Sequence, residues 1–208
     1  IYRDLYANKI APPPNVEKFK GPYPGGYVKD PHVGSHDWVV SFDLNSLYPN
    51  LIVQYNMSPE TLLKSDQGDV CIAANGAAFT KKFQGMLPRI IINYSNERKA
   101  IKKDMLAAMQ ANQNNPSSDT EREINRLENR QMAIKILLNS LYGALGNKYF
   151  RYFDQSVAEA ITTSGQLAIL TAEKAMNTEM NKILKSDKDY VIAIDTDSLY
   201  VNFGPLVD

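Results

Sequence analysis

The sequence predicts an α+β fold: an antiparallel sheet packed with helices, into which an antiparallel helical hairpin is inserted. The hairpin is indicated by helical stretches over about 93–113 and 119–145, which a short polar loop joins. The sheet is indicated by two short apolar segments. The run Trp38–Asp43 is β-branched and aromatic, which predicts a buried strand, and residues 190–203 predict a two-stranded hairpin whose turn carries two aspartates.

The long helices follow from residue spacing. Asn93–Gln113 contains no Gly or Pro and carries cations one helical turn apart. Ser118, with Glu121 three residues later, predicts a capping box at the start of the second helix, which glycines end near Gly146. Apolar residues at helical intervals predict a third helix over 156–185.

The first 38 residues are predicted to be irregular, because six of the eleven prolines and four glycines lie there. An extended surface arm and a plain linker both fit this composition. Residues 66–92 indicate loops and small strands. Pro49, shortly after the first predicted strand, indicates a turn or the start of a helix.

Composition excludes several classes of protein. The 208 residues are 44% hydrophobic and 22% charged, which excludes a disordered or fibrous chain. A single cysteine, Cys71, permits no intrachain disulfide and favours a reducing cytoplasm. No apolar run approaches the roughly 18 to 20 residues of a membrane span, and the first residues do not resemble a signal peptide.

Net charge first argues against a nucleic-acid partner, because 23 basic residues balance 23 acidic ones. The distribution changes that interpretation. Residues 81–148 contain twelve basic and six acidic residues, so the helical hairpin is basic and the remainder is acidic. A basic helical face is also typical of an ordinary solvated surface. Neutrality overall predicts weak DNA binding by this chain alone.

Three carboxylates follow predicted buried strands, where charge is costly unless it is paired or holds a metal. Asp43 ends the first strand, and Asp195 and Asp197 directly follow another. Residues two apart on an extended backbone point to the same side, so the three are expected to form an oxygen-only cluster suited to Mg²⁺. A turn with Asx hydrogen bonds is the alternative explanation of D-T-D, and a calcium loop is a poor match because Leu199 and Tyr200 stand where Asp or Asn and Gly are needed.

The hairpin supplies complementary cations. Arg98 and Lys102 lie one turn apart, and Lys135, Asn139 and Tyr142 share one face of the second helix. Opposite a carboxylate–metal cluster, such a face suits a nucleoside triphosphate, because guanidinium and ammonium groups bind phosphate oxygens. Taken singly, the same residues are typical of an exposed surface.

Three motifs in order resemble the family B (alpha-like) DNA polymerases, particularly the replicative type of T-even-like phages. D-L-N-S-L-Y-P-N from Asp43 is similar to the first polymerase motif, K-x-x-x-N-S-L-Y-G from Lys135 to the second, and D-T-D-S from Asp195 to the third. Y-P-G-G-Y from Tyr23 resembles the Y-x-G-G/A element that precedes the first motif in this family. The string M-S-P-E-T-L from Met57 also resembles the replicative polymerases of T-even-like phages. Ala193-Ile194 departs from the usual Tyr-Gly before the third motif, which affects primer positioning, and Asn50 replaces a serine.

The resemblance implies a palm over 39–92 and 148–208, fingers over 93–147, and an arm over 1–38 that leads into the palm. It implies two Mg²⁺ ions held by Asp43, Asp197 and the Leu44 carbonyl, with Asp195 as a supporting acid. It also implies the nucleotide-binding residues. The side chains of Arg98, Lys102, Lys135 and Asn139 would hold the triphosphate, and the backbone at Ser46 and Leu47 would contact phosphate oxygens. Tyr48 would exclude a 2′-hydroxyl, and Tyr142 with Gly143 would lie over the nascent base pair.

The function that the resemblance implies is template-directed DNA synthesis on primer–template DNA with dNTPs, in the cytoplasm of a phage-infected bacterium and without a membrane. Exonuclease acids and a thumb are not found in the sequence, so we expect an excised piece or one subunit of a divided enzyme. An inactive nucleotide- or partner-binding fragment is the alternative, and a two-metal nuclease shares the carboxylates but does not need the K-x-x-x-N-S-x-Y-G face.

Overall fold

The computed structural model describes residues 1–9, 11, 21–64 and 68–207. Its helices are α1 (Tyr2–Ala7), α2 (Leu47–Gln54), α3 (Met86–Asn114), α4 (Ser118–Leu145), α5 (Gln155–Leu184) and α6 (Gly204–Val207). Its strands are β1 (Val28–Lys29), β2 (Val39–Asp43), β3 (Leu62–Leu63), β4 (Val70–Ile72), β5 (Ala78–Thr80), β6 (Val191–Asp195) and β7 (Ser198–Asn202). The mixture of helices with antiparallel strands confirms the predicted fold class.

The main sheet has the strand order β1-β6-β7-β2 and is antiparallel throughout. The hairpin β6–β7 forms its centre, which confirms the two strands predicted over 190–203. β2 pairs with β7 along its whole length, with Asp43 opposite Ser198. This register brings the end of one strand next to the turn that joins two others.

The prediction of a buried strand at residues 38–43 is wrong. β2 lies at the edge of the sheet, and all five of its residues are exposed; Val40 and Phe42 retain 42% and 39% of their accessible surface. The apolar run predicted the strand correctly, but the sequence does not show which strand lies at an edge. Because Asp43 is exposed as well, the argument from buried charge does not apply to it.

Helices α3 and α4 form the predicted antiparallel hairpin. Ile101, Met105, Leu127, Ile134 and Leu138 are buried within it and extend the larger of two cores. The ion pair between Glu97 and Arg130 also crosses it, with 2.7 Å between Oε1 and Nη2.

Both helix starts in the hairpin differ from the sequence-based expectation. α3 begins at Met86 rather than near Asn93, because the apolar residues of 86–91 form its buried first turns, and Pro88 is tolerated in the first turn. The cap of α4 is Ser117 rather than Ser118, and its hydroxyl accepts the backbone N–H of Thr120 at 3.1 Å.

Helix α5 lies against two cores. Its N-terminal half, capped by Asp154, contributes Val157, Ala160 and Ile161 to the core under α2, α3 and α4. Its C-terminal half packs against β6 and β7 through Ile169 and Met180. α5 therefore supports both the main sheet and the base of the hairpin.

The predicted arm is partly regular. α1 lies at its start, and β1 joins the main sheet by pairing with β6. The three consecutive prolines at 12–14 lie outside the described residues, as do residues 65–67 of the predicted loop region and the last residue, 208. The small strands expected within 66–92 include β4 and β5, which form a second antiparallel sheet with β3. Within the described residues, none of the helices is long and apolar enough for a membrane span.

Candidate active site

The sheet brings two of the predicted aspartates together. Asp43 ends β2, and Asp197 lies in the turn between β6 and β7, directly before the residue opposite Asp43. The backbone N–H of Leu44 donates to the carbonyl of Asp197 at 2.7 Å, and the Ser198 hydroxyl donates to Oδ2 of Asp43 at 3.3 Å. These bonds hold the end of β2 against the β6–β7 turn.

Like charge acts on Asp197. Burial, then the neighbouring charge of Asp43, then that of Asp195, raise the pKa of the Asp197 carboxyl above its ordinary value of 3.8. The repulsion between two close carboxylates is relieved by a proton or by a cation. Because all the donors are carboxylate oxygens, the cation that fits is a hard one such as Mg²⁺.

Asp195 does not join this pair as expected. The backbone is not extended from 195 to 197: Asp195 ends β6, Thr196 has a left-handed φ of 55°, and Asp197 lies in the turn. Asp195 is exposed, and its Oδ1 accepts the Thr196 hydroxyl at 3.2 Å. Among the described residues, no set of three or more carboxylate, imidazole or thiol side chains is arranged to hold a metal ion. The site is a pair of carboxylates with a third nearby.

A cavity of about 270 Å³ opens beside Asp197. It is lined by residues of α2, α4 and the β6–β7 turn, among them Ser46, Leu47, Tyr48, Asn139, Tyr142 and Asp197. Six residues from three separate motifs, far apart in sequence, thus share one cavity.

The N-terminus of α2 faces this cavity with its first residues. Ser46 caps the helix with a φ of 55°, and its side chain makes no bond to the first turn. The first N–H groups of an α-helix have no acceptor within the helix, so Leu47 and Tyr48 lie where backbone N–H groups and the helix dipole favour an anion. The carboxylate pair and a helix end that favours anions therefore adjoin the same space.

Two tyrosine rings form one wall of the cavity. The rings of Tyr48 and Tyr142 are tilted by 53°, with centroids 4.7 Å apart. Burial, followed by the charges of Asp197 and Tyr23, raises the pKa of Tyr48. Burial and then Tyr23, through charge and a hydrogen bond, raise the pKa of Tyr142. Both phenols are therefore uncharged at neutral pH, and Tyr23 ties the arm to α4.

Gly165 on α5 fixes the position of the Tyr48 ring, and sequence reasoning missed it. A Cβ atom at Gly165 would lie 2.7 Å from Cε1 of Tyr48, closer than real Cβ contacts allow. The only signal in the sequence is a glycine in the middle of a helix, where it costs about 1 kcal/mol relative to alanine. Tyr23 lies in a quoted motif, but its bond to Tyr142 could not be predicted from that motif.

The predicted cations do not line the cavity. Arg98 is half-buried, and its Nε donates to Oε1 of the buried Gln131 at 3.1 Å across the hairpin. Lys102 and Lys135 are exposed, and Gly143 is exposed beside Tyr142. Among the described residues that line the cavity, Asn139 is the only one whose side chain is predicted to bind phosphate. Arg98 is thus engaged in a contact within the hairpin, whereas the side chains of Lys102 and Lys135 are exposed on its surface.

Comparisons with known proteins agree with this arrangement. A family model described as DNA polymerase family B matches residues 3–206. The DNA-directed DNA polymerases of Escherichia phage RB69 and Enterobacteria phage T4 are 32% and 30% identical to this chain, with 97% and 100% of the chain aligned. DNA polymerase 1 of Pyrococcus abyssi is 34% identical over 95% of the chain.

A solved structure gives the same result. The family B DNA polymerase from the hyperthermophilic archaeon Pyrobaculum calidifontis matches 97% of this chain with a TM-score of 0.68 and 30% identity. The matched region is 29%, 30% and 23% of the phage RB69, phage T4 and P. abyssi proteins and 25% of the P. calidifontis chain, so this chain spans less than a third of each. The matches cover nearly every residue of the chain, including the carboxylate pair and the tyrosine-lined cavity, and the chain belongs to DNA polymerase family B.

Proposed function

We propose that this chain carries the nucleotidyl-transfer site of a template-directed DNA polymerase, which adds deoxynucleotides to the 3′-hydroxyl of a primer. The main support is one arrangement: Asp43, at the end of β2, and Asp197, in the β6–β7 turn, meet beside a cavity lined by Tyr48, Asn139 and Tyr142. Membership in DNA polymerase family B supports primer–template DNA and dNTPs as the substrates.

The carboxylate pair fits divalent metal ions. Burial and then the charge of Asp43 raise the pKa of Asp197; a cation would relieve this repulsion, and the nearby donors are oxygens. We propose that Asp43, Asp197 and the Leu44 carbonyl hold two Mg²⁺ ions, with Asp195 as a supporting acid. When bound, two such ions supply charge stabilisation for the attacking and leaving oxygens of phosphoryl transfer.

The chain's own groups would bind the triphosphate from two sides. The backbone N–H groups at Ser46 and Leu47 and the Asn139 amide already line the cavity. Arg98, Lys102 and Lys135 lie outside it, so their role requires the α3–α4 hairpin to move towards the sheet. That movement would bring the basic part of the chain onto the phosphates only when a nucleotide is present.

The tyrosines would select the nucleotide. The Tyr48 ring packs closely against Gly165, and in this position it would exclude a sugar that carries a 2′-hydroxyl. Tyr142, stacked on Tyr48, and the exposed Gly143 would lie over the nascent base pair. The bond between Tyr23 and Tyr142 would keep this wall rigid.

The division into parts belongs to this proposal. Residues 39–92 and 148–208 would form the palm, 93–147 the fingers and 1–38 the arm, with α3 reaching back to Met86 at the base of the fingers. Exonuclease and thumb segments would come from other parts of a polymerase, which fits a chain that spans less than a third of its relatives. Two phage relatives suit a place in the cytoplasm of an infected bacterium.

Primer extension with a 5′-labelled primer, template, dNTPs and Mg²⁺ tests the proposal. The wild-type chain is assayed alone and together with the remaining domains of a family B polymerase, beside Asp43→Ala and Asp197→Ala. We expect extension that both substitutions abolish. Asp187→Ala, an exposed carboxylate in the turn before β6, is the matched control and should retain activity.

Three outcomes contradict the proposal. Extension retained by Asp43→Ala or Asp197→Ala would remove the carboxylates from the mechanism. No extension in either setting, together with dNTP binding, would favour a fragment that binds nucleotide without catalysis. Mg²⁺-dependent degradation of the primer would instead indicate a two-metal nuclease.

A further inference from the structure

The N-terminus of α3 is held by a short segment that follows α2. Three consecutive backbone N–H groups at the start of α3 donate to side chains of this segment: Gly85 to Oδ1 of Asn56 at 2.8 Å, Met86 to Oε1 of Glu60, and Leu87 to the hydroxyl of Ser58 at 3.4 Å. These N–H groups have no acceptor within the helix, so the segment satisfies the open end of α3.

The side chains that hold α3 are themselves fixed. The Ser58 hydroxyl donates to Oε2 of Glu60 at 2.6 Å, and Ser58 is fully buried. The Asn56 amide donates to the carbonyls of Thr80 and Phe83 at 2.6 and 2.8 Å, which ties it to the end of β5. A carboxylate at a helix N-terminus is also favoured by the helix dipole.

The packing at this point is also close. A Cβ atom at Gly85 would lie 2.8 Å from Cβ of Ser58, so the backbone at Gly85 packs directly against the Ser58 side chain. Thr61, also fully buried, donates its hydroxyl to the carbonyls of Asn56 and Ser58 at 2.6 and 2.9 Å. The contact is an interlocked joint rather than a single hydrogen bond.

The joint determines where α3 points. Arg98 and Lys102 follow Met86 by 12 and 16 residues, which places them roughly 18 and 24 Å along the helix axis. A tilt of about 10° at the base would move the backbone of Arg98 by about 3 Å at that helical rise. Displacements of that size are large compared with hydrogen-bond tolerances.

We propose that Asn56, Ser58 and Glu60 are positioning residues: they fix the base of α3 and thereby the approach of Arg98 and Lys102 to the triphosphate. The inference rests on the proposed function for its nucleotide half. Its structural half, an anchored base of α3 about which the hairpin would move, stands on the hydrogen bonds alone. Glu60 is exposed overall, yet both its carboxylate oxygens are engaged.

Glu60→Ala and Glu60→Gln separate a positioning role from general stability. Glutamine keeps an oxygen that accepts the Met86 N–H, whereas alanine leaves that N–H without a partner. Glu121→Ala is the matched control, because Glu121 is an exposed carboxylate in the first turn of α4, at the other end of the hairpin. All four proteins are compared by thermal melting to confirm that they are folded.

Two readouts are taken on each folded protein: hydrogen exchange of the α3 amides over 86–91, and equilibrium binding of the Mg²⁺–dNTP complex and of primer–template DNA. For Glu60→Ala we expect faster exchange at the start of α3 and dNTP affinity about tenfold weaker, with DNA affinity within about twofold. Glu60→Gln should recover most of both effects, and Glu121→Ala should match the wild type.

Unchanged exchange in Glu60→Ala would overturn the joint itself. Faster exchange with unchanged dNTP affinity would overturn its role in nucleotide binding. A wild-type chain that binds no dNTP would overturn that role together with the proposed function, while the exchange result would still decide whether Glu60 fixes α3. Equal losses of dNTP and DNA affinity would indicate a merely structural effect and would also overturn the positioning role.

Discussion

Asp197 lies next to a carboxylate of the same charge, and the chain keeps this arrangement without a compensating cation of its own among the described side chains around it. The raised pKa of its carboxyl means that the folded chain binds this proton more tightly than the unfolded chain does. The stability that the fold gains from binding this proton is therefore lost as the pH rises from 3.8 through the pKa of Asp197 in the folded chain. Above that pKa, this stabilisation is absent.

Asp43→Asn is predicted to remove this repulsion. Without Mg²⁺, the variant should be at least as stable as the wild type at pH 7, and the difference should shrink below pH 4, because protonation neutralises the pair in the wild type. Urea denaturation in EDTA at both pH values measures it. A variant that is less stable than the wild type at pH 7 would show that the two carboxyl groups attract rather than repel each other, for example by sharing a proton.

Tyr48 is predicted to be the residue that rejects ribonucleotides. Tyr48→Ala should raise the incorporation of rNTP relative to dNTP by at least about tenfold, because it removes the ring that packs closely against Gly165 at the cavity wall. Tyr48→Phe, which keeps the ring, is the control. Single-nucleotide incorporation with matched rNTP and dNTP measures the ratio, and unchanged discrimination in Tyr48→Ala would contradict the role.

Sequence reasoning predicted several residues that the structure places around the carboxylate pair and the cavity, but it missed some of their contacts. Asp43, Tyr48, Asn139, Tyr142 and Asp197 were all predicted, because each belongs to a motif with a recognisable spacing. Gly165 and the bond from Tyr23 to Tyr142 could not be predicted, since they depend on how α5 and the arm pack against the cavity. The relation of Asp195 to the pair was predicted wrongly because one left-handed residue, Thr196, reverses the chain.

At the scale of elements, long helices were predictable and short or edge elements were not. α4 and α5 lie within two residues of their expected bounds, because helical periodicity over many turns leaves few alternatives. The first turns of α3 look like a loop with a proline, and burial in the same core as Met57 and Ile52 stabilises them as a helix. Nothing local in the run at 38–43 distinguishes an edge strand from a central one.

β1 is held in the sheet by charge as well as by its two residue pairs. The ammonium of Lys29 contacts carboxylate oxygens of Glu173 on α5, at 2.6 Å, and of Asp189, before β6. Burial lowers the pKa of Lys29, but the hydrogen bonds to Asp189 and Glu173 outweigh it and raise the pKa overall. Burial raises the pKa of Asp189, yet its bonds to Lys29 and Asn177 lower it overall.

Lys29→Met is predicted to destabilise the fold by about 1–2 kcal/mol at pH 7, a value reduced for the partial exposure of Asp189. The loss should be largest between the two titrations: the Asp189 contribution disappears as the pH falls below 3.8, and the Lys29 contribution as it rises above 10.5. Denaturation of wild type and variant at pH 3, 7 and 11 measures this. A difference that does not depend on pH would show that the side chain acts through packing alone.

At the scale of the whole molecule, a net charge of zero conceals two oppositely charged parts. Twelve basic and six acidic residues lie within residues 81–148, and the carboxylate pair lies in the acidic remainder. The cavity lies where the two parts meet, with Asn139 and Tyr142 from one and Asp197 from the other. This distribution of charge suits the proposed binding of a metal-bound triphosphate.

The most direct measurement of the central claim is Mn²⁺ binding by electron paramagnetic resonance on this chain, with a dNTP and primer–template DNA present. It needs no turnover and no further domains, so it tests the Asp43–Asp197 pair and the adjoining cavity themselves. We predict dNTP-dependent Mn²⁺ binding by the wild type that the double variant Asp43→Asn with Asp197→Asn loses at least about tenfold. Equal Mn²⁺ binding by the double variant and the wild type, with both folded, would contradict the assignment of this pair as the catalytic centre.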